Sequence, residues 1–452
     1  MASLKNKTLS SGLIIATSNI ASQIFRLMGN LVLTRLLMPE IFGLMSVAYT
    51  IQFGLNLFSD IGLSQNLIQS GRSHEKRYIN TLWTLQVLRG VVITLLGIIA
   101  ACTVWSLNQF DIFDIHTVYA NPQLPLIIVL ITINQFILGF QSTNAAFAIR
   151  NLNVMRKTML DLLGQVLSLI ITIAITYFWR DVWALIIGGI INSFFTVYVS
   201  HRYLGVSDNR FDWDVTAVKD IIKFGKWVFL SSAIGFLYIS GDRFMLGGLV
   251  SARTLGLYTT AYFLSNALME MLNRVFSFAA FPALSEVYRT KPENLRNIYY
   301  RLRLPVDVLC LLTAGVLYIT GHIVIDVLYD DRYAEAGVIL EILSLSLAVS
   351  RFTLAEQCYL AMGKPELLVR LNLLRAIAII VIMPIVLRIY GFHASLYVIA
   401  LNGVFSLPLV FFNKMRWQLL NVKKELYVIP VFFIGLLIGK GLEFLYNCIG
   451  RL

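Results

Sequence analysis

The chain has 452 residues, of which 58% are hydrophobic and 14% charged, and its formal net charge is +12. A soluble protein of this length cannot bury so much apolar surface, so the composition predicts an all-α polytopic membrane protein. The basic excess does not indicate nucleic-acid binding, because Lys and Arg also collect in the cytoplasmic loops of membrane proteins. We expect the lipid bilayer as a partner and no nucleic acid.

Apolar windows of about 20 residues predict thirteen membrane spans. Six lie within residues 1–205, near 10–34, 41–68, 80–105, 124–147, 158–178 and 182–201. Six more make up a second lobe, residues 227–415, with spans near 224–243, 256–282, 303–322, 336–361, 367–388 and 392–412. Residues 416–452 add one extra C-terminal span near 426–446. Between the two sets, residues 206–226 form a polar linker in which the amphipathic sequence VTAVKDIIKFGK predicts an interfacial helix on the cytoplasmic surface.

The basic residues predict the orientation of these spans. With the N-terminus in the cytoplasm, the inside segments hold 24 of the 37 Lys and Arg residues, Arg303 and Lys414 among them. The outside segments then hold only 7. This bias predicts a cytoplasmic N-terminus and, with thirteen spans, an external C-terminus. If 426–446 re-enters the membrane or lies flat, twelve true spans remain.

A repeated phrase predicts two related halves. Residues 42–49 (FGLMSVAY) align with residues 255–262 (LGLYTTAY) at an offset of 213 residues, and Lys157 aligns with Arg370 in the same register. Each half has an even number of spans, so both halves enter the membrane from the same side. We therefore expect two six-helix lobes related by a pseudo-two-fold axis along the membrane normal, with a cavity between them.

Charges inside the predicted spans are the candidate functional residues, because an ionisable group at membrane depth is costly. Five are arginines in the first twelve spans: Arg26, Arg89, Arg274, Arg351 and Arg375. A guanidinium stays charged when partly desolvated and grips phosphate oxygens with two N–H groups, whereas a buried lysine readily loses its proton. These arginines are therefore predicted to bind an anionic, phosphorylated substrate.

Carboxylates near these arginines offer a different interpretation, in which the charges only pair with one another. Glu270 lies four residues before Arg274 on one helix face, and Asp60 and Arg89 lie at similar depth in adjacent spans. At the outer end of span seven, Asp242 and Arg243 either gate the predicted cavity or cap a helix end and meet the outer water.

Enzyme signatures are missing from the sequence. There is no GxxxxGK[ST] phosphate loop and no HExxH, and the five histidines are scattered without metal-ligand spacing. The longest outside loop, about 106–123, is too short for a catalytic domain. We therefore predict no catalytic residue, no metal and no cofactor.

Two motif pairs resemble a known family. RLLMPEIFGL followed by DIGLSQNLIQ, and FGKWVFLSS followed by GDRFMLGGLVSARTLGLY, are similar to the polysaccharide transport flippases of the multidrug/oligosaccharidyl-lipid/polysaccharide exporter superfamily. The resemblance covers roughly the first twelve spans. It implies that Asp60 and the Asp242–Arg243 pair occupy hallmark positions of the family. Arg26 corresponds to a family position only by its place in span one. A thirteenth span departs from the twelve or fourteen of the family.

The resemblance implies a multi-pass protein of the bacterial inner membrane. Such a protein moves undecaprenyl-diphosphate-linked oligosaccharide repeat units to the outer leaflet for O-antigen, lipopolysaccharide or exopolysaccharide biosynthesis, with glycan polymerase machinery as a further partner. The alternative is a cation-coupled multidrug antiporter of the same superfamily. Drug cations favour a carboxylate-dominated cavity, whereas the deep charges here are led by arginine. A polymerase or ligase would need a larger external loop.

Overall fold

The protein is helical throughout the residues that the computed structural model describes, which are 2–60, 63, 72, 75–150, 154–205, 209–275 and 280–449. Within them the β-pairing is limited to an isolated bridge between Thr117 and Ser251. Eight of the described helices are long and apolar enough to cross a membrane, or nine if the bent pair Phe392–Ala400 and Asn402–Arg416 is one span. The predicted all-α, multi-pass membrane class is confirmed.

The chain divides into two compact units, of which the first comprises Met1–Phe236 and Leu246–Ala252. Its helices are α1 (Ala2–Leu36), α2 (Pro39–Phe58), α3 (Lys76–Gln109), α4 (Leu124–Gly139), α5 (Asn144–Arg150), α6 (Val154–Phe178), α7 (Val182–Tyr203) and most of α8 (Val215–Gly247). Pro39 opens α2 because its missing N–H would have no partner in a first turn.

The second unit comprises Leu237–Met245 and Arg253–Leu452. Its helices are α9 (Ala252–Val275), α10 (Phe281–Thr290), α11 (Leu295–Leu328), α12 (Ala336–Ser350), α13 (Thr353–Ala361), α14 (Pro365–Ile377), α15 (Met383–Tyr390), α16 (Phe392–Ala400), α17 (Leu407–Arg416), α18 (Val422–Leu426) and α19 (Pro430–Ile449).

Three apolar spans of the second unit contain irregular backbone. One breaks at Arg351, one contains the π-helix Ala378–Ile382, and one contains the 3-10 helix Asn402–Ser406. Irregular backbone at membrane depth is tolerated where protein or water satisfies the freed peptide groups. Such breaks are also where transporters place binding groups.

The helix predicted in the linker 206–226 is present, but it is not separate from span seven. Helix α8 runs unbroken from Val215 to Gly247. This stretch contains no proline that would end a helix, so the amphipathic segment continues directly into the apolar one. The boundary between the units accordingly falls inside α8, after Phe236, and not at the end of the predicted linker.

Partly buried polar contacts hold the residues just before α8 against other parts of the first unit. The backbone N–H of Asp214 donates to Thr81 Oγ1 at 3.0 Å, and Arg72 Nη2 lies 2.8 Å from Asp214 Oδ2. Hydrogen bonds from Thr216 and Arg72 hold the pKa of the Asp214 carboxyl well below its usual range. Because this pKa is lowered, the stability that Asp214 contributes is present at neutral pH and is lost only as the pH falls into the acid range.

Helix α2 ends within the second predicted span. The prediction was a helix over 41–68, but α2 ends at Phe58 with Ser59 as its C-cap. Asp60 therefore lies just beyond the end of α2. Ser and Asp favour helix ends because their side chains compete for backbone hydrogen bonds. Most of residues 61–71 lie outside the described residues.

The extra C-terminal helix is also present. Helix α19 packs along α11 in the parallel direction, with glycines at the closest approach. A Cβ atom on Gly315 would lie 2.4 Å from the carbonyl oxygen of Phe432, and one on Gly435 would lie 2.5 Å from that of Leu312. Further along both helices, His322 Nε2 lies 3.9 Å from Glu443 Oε1. Small residues that let two backbones approach are typical of helix pairs in membranes.

Candidate functional site

Arg351 lies where an apolar span breaks. The stretch Ala336–Ala361 is apolar enough to cross a membrane, but α12 ends at Ser350 and α13 begins at Thr353. Arg351 is 7% exposed, and its guanidinium carbon lies 4.8 Å from the ring centroid of Phe352. Its Nη1 is buried and has no hydrogen-bond partner among the described residues. A buried guanidinium N–H of this kind is a candidate binding group.

A set of buried ion pairs surrounds the same Phe352 ring. Arg303 Nη1 and Lys414 Nζ each lie 2.6 Å from Glu425 Oε1. Arg303 Nε also donates to Asp307 Oδ1 at 3.1 Å. The Arg303 guanidinium carbon and Lys414 Nζ lie 4.9 and 5.3 Å from the ring centroid of Phe352. Arg303, Asp307, Lys414 and Glu425, here called the interior charge cluster, contain two cations and two carboxylates and are neutral together.

Three separate stretches of chain build the interior charge cluster. Arg303 and Asp307 are four residues apart on one face of α11. Lys414 lies near the end of α17, and Glu425 lies on the short helix α18. Tyr300 completes the arrangement by donating its hydroxyl to Glu425 Oε1 at 2.8 Å. Ion pairs are stable in such an interior only when further hydrogen bonds satisfy the charged groups, and these groups form several.

The sequence prediction for Arg303 and Lys414 is wrong in one respect. The orientation count treats both as cytoplasmic loop charges, whereas both are fully buried at 0% exposure. Helix α11 begins at Leu295, about two turns before Arg303, so Arg303 lies well inside a helix. The spacing of Arg303 and Asp307 was a signal that could have found one ion pair. No local pattern indicates that Lys414 pairs with Glu425.

Arg375 is bound on three sides. Its Nη2 lies 2.6 Å from Glu356 Oε1, and its Nε donates to Ser406 Oγ at 3.0 Å. Its guanidinium carbon lies 5.4 Å from the ring centroid of Tyr238. Arg375 lies three residues before the π-helix that follows α14. Its contacts therefore join irregular segments of the second unit.

Asp242 and Arg243 form a buried link between α8 and α9. Asp242 is 3% exposed and accepts a hydrogen bond from the hydroxyl of Tyr258. Arg243 Nε lies 3.7 Å from Asp242 Oδ1, and the Arg243 guanidinium carbon lies 4.4 Å from the ring centroid of Tyr262. Helix α8 continues past this pair to Gly247, and the gating role of the pair stays a prediction.

In the first unit, Arg89 extends from α3 and contacts the C-terminal end of α2. Its Nη1 is 3.8 Å from Asp60 Oδ1, so the pairing expected from their similar depth is present. Arg89 Nη2 also donates to the carbonyl oxygen of Asn56 at 2.8 Å, and its Nε donates to Ser59 Oγ at 3.2 Å. A cation at the C-terminal end of a helix is favourable because the last carbonyl oxygens carry partial negative charge.

The remaining candidates take no part in this arrangement as far as the structure describes them. Arg26 is exposed on α1, and Glu270 is exposed on α9. The side chain of Arg274, and with it the expected pairing with Glu270, lies outside the described residues. Among the described side chains, no group of three His, Cys, Asp or Glu residues could hold a metal ion.

Solved structures of membrane transporters share this multi-pass helical fold. One is an inward-facing multidrug resistance MATE family transporter of the MOP superfamily, with a TM-score of 0.66, 15% identity and coverage of 88% of this chain and 94% of that one. Another is the lipid II flippase MurJ in an inward closed conformation, with a TM-score of 0.71, 10% identity and coverage of 97% and 98%. The predicted fold class is thereby confirmed.

A family model described as polysaccharide biosynthesis protein matches residues 32–338, more than half of the chain. The chain therefore belongs to the polysaccharide biosynthesis protein family. One relative is the lipopolysaccharide biosynthesis protein WzxC of Escherichia coli (strain K12), which is 22% identical over 344 residues covering 75% of this chain and 67% of that protein. The family predicted from the two motif pairs is confirmed.

Proposed function

We propose that this protein is a flippase of the bacterial inner membrane. It moves undecaprenyl-diphosphate-linked oligosaccharide repeat units from the cytoplasmic to the outer leaflet and makes or breaks no covalent bond. Membership of the polysaccharide biosynthesis family supports this assignment, as does the likeness of fold to a lipid II flippase. The observation that carries the proposal is the buried, unpaired Nη1 of Arg351 at the break of an apolar span.

Arg351 suits the anionic part of such a substrate. The prenyl chain gains about 0.8 kcal/mol for each CH₂ group that leaves water, so it stays in the lipid. Transfer of the charged diphosphate into the bilayer is unfavourable, because even one charged side chain at the bilayer centre costs roughly 2.5–3.5 kcal/mol on insertion scales. A guanidinium offers phosphate oxygens two parallel charged hydrogen bonds, which offset that cost.

The other arginines have different parts in this proposal. Arg375 positions the helices around Arg351, because its own donors are already bound to Glu356 and Ser406. Arg26, Arg89 and Arg274 remain proposed contacts of the same substrate on the grounds of sequence.

A cation-coupled multidrug antiporter is the alternative, and the fold does not decide between the two functions, since both occur among its structural neighbours. The charges favour the flippase. Four shielded carboxylates of the described second unit that would attract a drug cation already have a basic partner: Asp307 with Arg303, Glu425 with Lys414, Glu356 with Arg375, and Asp242 with Arg243.

The proposal is tested by replacing Arg351 in the producing bacterium. Arg351→Ala should abolish surface glycan and leave lipid-linked repeat units in the cytoplasmic leaflet, as deletion of the gene should. Arg351→Lys should lower transport only partially, about tenfold or less, because the charge remains and the two-pronged grip is lost. The measurements are surface glycan, labelled lipid-linked intermediates and the level of protein in the membrane.

Arg388→Ala is the matched control, since Arg388 is exposed on α15 of the same unit. It should leave surface glycan at the wild-type level. Normal glycan in the deletion strain, together with a new sensitivity to cationic dyes, would instead establish the antiporter.

A further inference from the structure

Arg351 is the one cation around Phe352 that the interior charge cluster does not neutralise. In that cluster, Asp307 is bound to Arg303, with both carboxylate oxygens 3.1 Å from Arg303 Nε. Glu425 is bound to Arg303 and Lys414 at 2.6 Å each. Each buried carboxylate therefore has a basic partner, while Glu425 Oε2 and Arg303 Nη2 form no hydrogen bond among the described residues. Arg351 adds a fifth charge without a matching carboxylate among the described residues.

Arg303 and Arg351 lie against the same aromatic ring. Their guanidinium carbons lie 4.9 and 4.8 Å from the centroid of one ring, that of Phe352. Asp307, the carboxylate bound to Arg303, also attracts Arg351 electrostatically. Because Asp307 is hydrogen-bonded to Arg303, it does not satisfy the Nη1 of Arg351. Without Arg303, this carboxylate would be the natural partner of Arg351.

We propose that Arg303 is a positioning residue whose task is to hold Asp307 away from Arg351. Arg303 is itself fixed by Glu425, which the C-terminal segment brings in on α18. The arrangement keeps one buried guanidinium available to an external phosphate group. This inference rests on the proposed function, because it names the residues that make Arg351 competent to bind the diphosphate of the substrate.

The charges allow a discriminating pair of variants. Arg303→Gln leaves two cations and two carboxylates, so Lys414 keeps Glu425 and Asp307 becomes free to pair with Arg351. The protein should remain folded, because every buried charge still has a partner. Arg351 should nevertheless bind the diphosphate of the substrate less tightly, because Asp307 then occupies its guanidinium. In Arg303→Gln/Asp307→Asn the competing carboxylate is gone as well, so Arg351 is again unpaired and binding should return.

The measurement is the Kd of the purified full-length protein for undecaprenyl diphosphate in detergent micelles, with undecaprenol as the uncharged comparison. Wild type should prefer the diphosphate. Arg303→Gln should weaken its binding about tenfold or more, and the double variant should recover to within about threefold of wild type. Melting temperature is recorded for each variant. Lys424→Gln, which removes an exposed cation 5.4 Å from the Tyr300 ring, is the control and should change neither quantity.

Each outcome bears on the inference. If the double variant is folded but binds as weakly as Arg303→Gln, Arg303 either contacts the ligand or only supports the fold, and the inference is overturned. If Arg303→Gln does not fold, Asp307→Asn alone decides. Binding at least as tight as in wild type supports the competition, and weaker binding contradicts it. Should wild type not distinguish the diphosphate from undecaprenol, the proposed function fails first.

Discussion

At the scale of single residues, the guanidinium of Arg375 connects side chains from three other stretches of the second unit. It contacts Glu356 on α13, Ser406 at the end of a 3-10 helix, and Tyr238 on α8. Both members of the Arg375–Glu356 pair are shielded from solvent, with side chains 7% and 13% exposed. Such a shielded pair matters for stability mainly because removing one partner leaves the other as an uncompensated buried charge.

We therefore expect Arg375→Ala to destabilise the protein by about 3–5 kcal/mol, because it leaves Glu356 as an uncompensated buried charge. Glu356→Gln should act in the same direction. Arg375→Met combined with Glu356→Gln should recover part of the loss, because no unpaired charge remains. The measurement is the melting temperature in detergent, with the level of protein in the membrane beside it.

Arg370→Ala is the control for this series, because Arg370 is exposed on the same helix. Its effect should lie within about 0.5 kcal/mol of zero. Equal melting temperatures for Arg370→Ala and Arg375→Ala would show that Arg375 does not hold the helices together.

At the scale of helices, two glycines set the contact between α11 and α19. Gly315 and Gly435 face one another's helices so closely that any side chain there would meet backbone atoms. Backbone cannot move aside as the end of a flexible side chain can. The close approach therefore depends on the absence of a Cβ atom at these two positions.

Gly315→Ala and Gly435→Ala should each lower the melting temperature, because α19 has to move away from α11. Gly441→Ala is the matched control on the same helix, since a Cβ atom there meets nothing within 4 Å. It should leave the melting temperature unchanged or raise it slightly, because Ala is favoured over Gly in a helix by up to about 1 kcal/mol. Three equal melting temperatures would contradict this account of the packing.

At the scale of the whole molecule, the direction of α19 bears on topology. It runs parallel to α11, from the Glu425 end towards the Glu443 end. With the N-terminus in the cytoplasm, α11 runs outwards, and a parallel α19 that crosses the membrane ends outside as well. A spanning segment of this direction agrees with the basic-residue bias.

A reporter that needs the cytoplasm should therefore be inactive when fused after Leu452 and active when fused after Arg416, at the end of α17. A reporter that needs the outside should give the opposite pattern. If the reporter that needs the cytoplasm is active at both positions, α19 does not cross the membrane and the C-terminus lies inside.

The sequence by itself determined the class and the family of this protein. Hydrophobic runs of sufficient length dictate membrane helices regardless of their neighbours, because backbone polar groups must be satisfied within each segment. The two motif pairs identified the polysaccharide family, and the depth of Asp60 and Arg89 anticipated their pairing. These signals are local or depend on simple counting along the chain.

Tertiary structure alone decided which charges are buried and which of them are paired. Arg303 and Lys414 look like ordinary cytoplasmic cations in the sequence, and Glu425 looks like a surface carboxylate, yet all three are enclosed around Phe352. Their pairing joins segments that are distant in sequence, since Arg303 and Glu425 are 122 positions apart. Coulomb attraction and desolvation depend on distance in space and on the surrounding medium, and the order of residues along the chain contains neither quantity. For the same reason only the fold distinguishes Arg375, whose donors are bound, from Arg351, whose Nη1 has no partner in the described chain.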